Sequence, residues 1–346
     1  MNARELQAQA VFSAIMGQPA APVVEPQPLK VVGLHEFMAT ELPARETILT
    51  PILMTQSLNM IHGWRGLGKT HMSLGIFYAV GTGGTFLSWK ANKPRKVLLV
   101  DGEMPGPALQ ERLAAIIASS GVEPLPGFLS ILTPDLQSGA MPDLSSHEGQ
   151  DSVSAIVEQV GAELIILDNI SCLVRGGGRE NDAESWLSVS EWALQQRQRG
   201  RSILFIHHSG KNGAQRGTSK REDLLDVVIG LRRPPDYDPA SGACFEVHYE
   251  KARHLSGDDV APIEAQLTTD ASGICRWAWR AVSDSTFDRV VSLAGDGLSQ
   301  SEIADELGVN RSTVSRAWRK ADALGLMNAK PKAKARNQYK TGRDGE

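Results

Sequence analysis

The chain has 346 residues, which at about 150 residues per domain suggests one large domain plus a small one, or two. Apolar residues at 41% and charged residues at 22% allow a sizeable core and exclude global disorder. The net charge of -4 excludes a polycation, so any nucleic-acid surface must be local; three distant cysteines (Cys172, Cys244, Cys275) exclude a disulfide framework and a Cys-rich zinc site. No apolar run approaches the ~18 residues that span a bilayer. The N-terminus, which carries Glu5, makes a poor signal peptide. The expected location is therefore the cytoplasm, without a membrane partner.

Residues 1–16 show weak helical spacing through Leu6, Val11 and Ile15, and prolines 19, 22, 26 and 28 then make an extended tether. Residues 29–50 are ambiguous. From residue 51, apolar strand-like runs alternate with amphipathic helical runs. SLNMIHG (57–63) leads through a glycine loop into a helix from about Lys69 to Val80. KVLLVDGEM (96–104) precedes a helix that Gly121 should stop. FLSILT (128–133) is a third strand, SVSAIVEQVG a helix, LIILDN (164–169) a strand, 182–199 a helix and SILFIHHSG (202–210) a strand. This alternation predicts an α/β fold, a mostly parallel sheet covered on both faces. A β-rich part follows, with strands over 244–254, 262–270 and 274–282; the turn DASG predicts an antiparallel hairpin between the last two. The expected domains are an arm and linker (1–44), an α/β core with its β-rich part (45–282), a small helical module (283–328) and a basic disordered tail (329–346).

Residues 63–70 match G-x-x-x-x-G-K-[ST] in full, after a strand and opening a helix. Gly63, Gly66 and Gly68 let backbone N–H groups curl around phosphate oxygens, and the helix N-terminus adds its positive dipole end. Trp64, Arg65, Leu67 and His71 complete the predicted nucleotide-binding set. Lys69 is assigned to the β/γ-phosphates and Thr70 to Mg²⁺. Asp168, closing LIILDN, is the second metal-shell group. Glu103 is the favoured base for the attacking water and Asp101 its competitor; both acids could instead cap the helix starting near Pro107.

This order of motifs, ending in His207-His208, resembles the RecA-like ATPase core, and within it the hexameric replicative helicases of the plasmid RepA and DnaB kind. The resemblance covers roughly residues 45–282. It implies an ATP- and Mg²⁺-dependent motor, a homo-oligomer of up to six subunits, Glu103 as catalytic glutamate, and His207 or His208 as γ-phosphate sensor. It also implies a basic finger from the next subunit. Lys251-Ala-Arg253 matches its Lys-x-Arg form, with Arg253 the main candidate and Arg232 and Arg233 as rivals. The loop 209–223, with Lys211, Arg216, Lys220 and Arg221, and the segment 175–182 correspond to loops that hold single-stranded DNA in a channel. DnaB-like helicases carry a separate folded N-terminal domain, whereas here about 45 residues, part of them proline-rich, are expected ahead of the core.

Residues 284–327 read as helix, helix, turn, helix. Ser299 to Glu302 form a capping box, Ala304 and Leu307 face inward, and Asn310 caps a third helix with an apolar stripe of Val314, Trp318, Ala321 and Leu324. Its other face offers Arg311, Ser312, Thr313, Ser315, Arg316 and Arg319. The pattern resembles helix-turn-helix modules of bacterial regulators, winged ones included, which implies duplex DNA as partner through Arg311, Thr313, Arg316 and Arg319. From Arg311 to Arg343 there are ten Lys/Arg against one acid, Asp322. The combined expectation is a DNA helicase or replication-initiation ATPase of a mobile element. The alternatives are an ATP-switched DNA-binding regulator and a loader or recombination accessory ATPase.

Overall fold

The computed structural model describes residues 29–176, 183–209, 223–234, 237–238 and 242–326. The expected helical spacing over 1–16, the proline tether up to residue 28, Lys211, Arg216, Lys220, Arg221, residues 177–182 and the basic tail lie outside them. The chain divides into two compact units, Met1–Ala44 and Arg45–Glu346. Among its described residues the first holds one short helix, α1 (Leu34–Ala39).

The second opens with β1 (Thr47–Leu49), β2 (Leu53–Met54), β3 (Leu58–Gly63) and α2 (Lys69–Thr82). β4 (Thr85–Phe86), β5 (Trp89–Lys90), β6 (Val97–Asp101), α3 (Gly106–Ser120), β7 (Leu129–Leu132) and α4 (His147–Val160) follow. Then come β8 (Leu164–Asp168), α5 (Ile170–Leu173), α6 (Ala183–Gln198), β9 (Ser202–His208) and β10 (Val227–Arg232). β11 (Cys244–Ala252), β12 (Ile263–Thr269), β13 (Cys275–Ala281), α7 (Val282–Gly295), α8 (Gln300–Glu306) and α9 (Arg311–Ala323) complete it.

Nine strands form one sheet in the order β13-β12-β11-β10-β3-β9-β8-β6-β7. The pairs from β10 to β7 are parallel, and those from β10 to β13 antiparallel. Period-two alternation sends the apolar side chains of the parallel strands into two separate cores. Leu164 and Ile166 of β8 join α2 and α3 residues such as Met72, Phe77 and Leu109. Ile165 and Leu167 join Val153 and Val157 of α4 and Trp186 and Trp192 of α6. Each such buried side chain contributes roughly 1.5–3 kcal/mol. The sheet is thus covered on both faces, as the continuous apolar runs predict.

Gly121 ends α3 in the left-handed conformation (φ 66°), its N–H bonded to the Ile117 carbonyl. α4 begins at His147, earlier than the apolar spacing indicates, because Ser146 accepts the Gly149 N–H and fixes the start there. The DASG hairpin forms, with Gly273 at φ 82°. β10 is a strand the sequence reading leaves out. It joins the two kinds of pairing, parallel to β3 and antiparallel to β11.

The last three helices close a small core of their own from Val290, Ala294, Ile303, Ala304, Leu307 and Val314. The Ser299–Glu302 capping box is present in both directions, and Asn310 accepts the Ser312 N–H. Leu324, expected on the apolar stripe, is instead 59% exposed. α9 stops at Ala323, so the helical period no longer carries Leu324 inward. α7 follows β13 directly and is pinned to the sheet by Arg289, which is only 9% exposed. Its guanidinium pairs with Glu264 of β12 and, at 3.6 Å, with Glu246 of β11. Arg280 bridges Glu264 at 2.9 Å and Asp288 of α7 at 3.0 Å.

Candidate nucleotide site and helix-turn-helix

β3 runs straight into the phosphate loop, and its neighbours leave no room for side chains there. A Cβ on Gly63 would stand 3.0 Å from the Leu231 Cβ, and one on Gly68 3.1 Å from the Phe245 ring. Gly66 and Gly68 also hold φ of 75° and 100°, a region open to glycine. α2 begins at Lys69, so its free N–H groups face the loop. Lys69 is buried and donates to the carbonyls of Gly63 (3.0 Å) and Trp64 (2.9 Å). Burial draws its ammonium down to about 8, with the Asp168 and Glu103 carboxylates pulling the other way.

Beside this loop lies a cavity of about 860 Å³. Of the predicted nucleotide set, Arg65, Gly66, Gly68, Lys69, Thr70 and His71 line it. Gly63 supplies a carbonyl to Lys69, Leu67 is buried in the core, and the Trp64 side chain is 42% exposed outside the lining. Burial, and then the charge of Arg112, holds His71 near pKa 4, so its ring is neutral at physiological pH.

β8 and β6 bring Asp168 and Asp101 to the same register level. Asp168 accepts the Ser73 hydroxyl at 2.6 Å and is also hydrogen-bonded by Thr70. Burial pushes its carboxyl up, opposed by those bonds and by Lys69. Asp101 rises to about 6, through burial first and the Asp168 charge second. It accepts the Met104 N–H and the Thr133 hydroxyl, so it caps the turn that carries Glu103. A hydroxyl and a carboxylate aimed at one phosphate pocket, with a second carboxylate beside them, is a hard oxygen donor set that fits Mg²⁺. Among the described residues no cluster of three or more His, Cys, Asp or Glu could hold a metal alone, so phosphate oxygens and water would complete the shell.

Glu103 stands two residues past the end of β6 and lines the same cavity. The side-chain amide of Asn169 donates to its carboxylate, and His208 Nε2 lies 3.9 Å from it. His208 also lines the cavity, whereas His207 is buried on the other side of the strand. Arg253 does not line the cavity; it donates to the Asp223 carbonyl, as does Lys251 at 3.3 Å. Arg232 pairs with Glu250, and Arg233 stacks 4.3 Å over Tyr237. Sequence reasoning passes over Arg112, Asn169, Ser171, Cys172 and Tyr237, all of them in the lining. Only Asn169 carried a signal, its position directly after the strand-ending Asp168.

In the last module, α9 exposes Arg311, Arg316 and Arg319, with Thr313 half-buried. Arg316 bonds the Thr313 hydroxyl at 3.5 Å, so the two share one face. Arg319 donates from Nε to the Ser315 carbonyl at 3.3 Å. Among the described residues no helix is long and apolar enough to cross a membrane.

Residues 23–214 match the AAA domain family, and residues 289–326 match the homeodomain-like domain family. A KaiC-like protein, PH0186 from the archaeon Pyrococcus horikoshii, is similar in structure at 13% identity, with a TM-score of 0.46, over 66% of this chain and 93% of that one. No curated protein matches. With more than half its length matched, and a complete phosphate loop inside that stretch, the chain belongs to the AAA domain family: it is a P-loop ATPase of α/β fold with a helix-turn-helix module over residues 289–326.

Proposed function

We propose that this protein is a Mg²⁺-dependent ATPase that works on DNA, as a RepA-like hexameric helicase or replication-initiation motor of a plasmid, phage or other mobile element. The observation that carries the reading is the placement of Glu103, which lines the cavity that Lys69, Thr70 and Asp168 also line. In this reading Lys69 neutralises the β/γ-phosphates, while Thr70 and Asp168 hold the metal. Bound Mg²⁺ would spread the charge of the transferred phosphoryl group. Glu103 orients and deprotonates water, with Asn169 and His208 keeping its carboxylate aimed. His208, at the cavity wall, is the sensor rather than His207. Arg253 completes the site of a neighbouring subunit. Lys211 and Arg216 hold single-stranded DNA, and Arg311, Thr313, Arg316 and Arg319 hold duplex. Residues 45–282 make the motor, 283–328 the reader, and 1–44 and 329–346 the appendages.

One observation favours the alternative of an ATP-switched regulator: the reader is fixed to the ATPase sheet through Arg289 rather than tethered. A fork-displacement assay separates the two. Unwinding by wild-type protein, lost in Lys69→Ala, is expected of the motor. An active ATPase that leaves the fork intact at stoichiometric excess leaves the regulator standing.

A further inference from the structure

His62 is the last residue before the phosphate loop and is buried in the middle of the sheet. Both its ring nitrogens are engaged: Nδ1 with the Ser209 hydroxyl at 2.9 Å and Nε2 with the Glu250 carboxylate at 2.8 Å. Glu250 belongs to β11, which is not a neighbour of β3. It must pass over β10, a reach of two strand spacings or roughly 9–10 Å.

Two local departures from regular structure make that reach possible. Val228 pairs with Lys251 and Ile229 with Tyr249, so Glu250 is the extra residue of a β-bulge, a device that re-aims a side chain. On β10 the position beneath it is Gly230; a Cβ there would stand 2.3 Å from Glu250 Oε1. A bulge and a glycine gap together steer one carboxylate onto one histidine. Arg232 supports the carboxylate from its far side at 3.4 Å.

Each end of this connection touches a working part. Ser209 follows His208 at the end of β9, and its N–H donates to the Gly63 carbonyl at 3.0 Å. The same carbonyl accepts Lys69 Nζ. At the other end Glu250 adjoins Lys251, which with Arg253 grips the Asp223 carbonyl. The Arg253 N–H in turn donates to the Asp226 carbonyl.

We propose that His62 and Glu250 are positioning residues that report occupation of the phosphate loop to the basic pair Lys251 and Arg253. Resting on the ATPase reading, this deepens it: Lys69 leaves the Gly63 carbonyl to meet a phosphate, the Ser209–His62–Glu250 chain readjusts, and the end of β11 moves with it. The consequence is that a finger offered to a neighbour is set by the nucleotide state of its own subunit.

Hydrogen exchange of the full-length protein tests this without requiring turnover. With Mg²⁺ and a non-hydrolysable ATP analogue, exchange of the Arg253 amide should change at least fivefold. Glu250→Ala should abolish that change while phosphate-loop amides remain protected, and Glu250→Gln, which keeps an acceptor for His62, should retain it. His62→Leu should behave as Glu250→Ala. A role confined to stability would raise exchange equally with and without nucleotide. An unchanged Arg253 amide in wild-type protein whose phosphate loop is protected overturns the proposal, as does a nucleotide response that survives in Glu250→Ala. If the Arg253 response is present in protein that hydrolyses nothing, the ATPase reading falls and the connection stands. If no nucleotide protects the phosphate loop, both fall.

Discussion

The strands on the two sides of β10 share an apolar core but differ in what is added to it. β6 and β8 are buried at every position, while β13, at the opposite end of the sheet, is buried at none. On the first side, apolar packing on both faces locks the backbone, so strand ends can carry Asp101 and Asp168 in fixed register at a cost in desolvation. On the second side, Phe245, Val247, Ile263 and Ala265 still pack into the core, and charge pairs are added to that packing: Glu246, Glu264, Arg280 and Arg289 join β11, β12, β13 and α7. Packing tolerates a lost contact gradually. A buried ion network fails when one partner leaves, because the other charge is stranded. The phosphate loop thus sits beside the fully buried strands, and the connection to the helix-turn-helix module on the side where the ion pairs are added.

Four changes break or sharpen this contrast. The largest effect is expected from Glu103→Gln, which should lower kcat by about 10²–10⁴-fold and leave the affinity for a fluorescent nucleotide analogue intact. A fall of less than about tenfold, well below that range, would pass the base role to Asp101. Next is Arg289→Ala, which removes the buried cation that Glu246 and Glu264 share but leaves Glu264 with Arg280 and Glu246 with His248; urea unfolding should show a loss of about 3 kcal/mol, the low end for a broken buried pair. A loss below about 1 kcal/mol, the scale of a surface pair, would mean that packing alone holds this side.

Third is the pH dependence of nucleotide affinity. The charged ammonium of Lys69 meets phosphate, and in the free protein it titrates at about 8. Affinity should be level below that pH and fall above it, by up to about tenfold per pH unit. Calorimetry across pH 7–10 reads it, and Lys69→Arg should flatten the curve. Smallest is Asp101→Asn. The carboxyl of Asp101 is raised to about 6, so its contribution favours the folded state at low pH and is lost as pH rises through that value. In magnesium-free buffer at neutral pH the Asn variant should melt a few degrees higher, roughly the shift that 1 kcal/mol produces in a domain. The gap should close as pH falls from about 6 to about 4. An equal gap at both ends would remove the charge argument.

The same contrast explains what could be read in advance. Strands buried on both faces appear as unbroken apolar runs such as LIILD and SILFI, and the phosphate loop is a contiguous motif, so β3, β6, β8, β9, Lys69 and Thr70 are legible from residues alone. β10 is not, since Gly230 and the flanking arginines interrupt its pattern; that glycine answers to Glu250 from another strand, a contact sequence spacing does not encode. Glu103 and His208 are legible as polar groups at strand ends, but not their mutual placement or the Asn169 amide: these acquire meaning only when β8 and β9 bring them beside the Glu103 carboxylate. The latch through Arg289 is invisible for the same reason. Its partners lie 25 and 43 positions away on other strands. Leu324 was misplaced because a periodic stripe does not announce where a helix stops.

The passage from Ala281 to Val282 without an intervening coil has a consequence for how DNA is met. A module on a leash samples many headings and finds its site by search; one that grows out of an edge strand and is bolted down by a guanidinium holds a single heading. The direction in which α9 presents Arg311, Arg316 and Arg319 is then set by the ATPase body that carries β12 and β13.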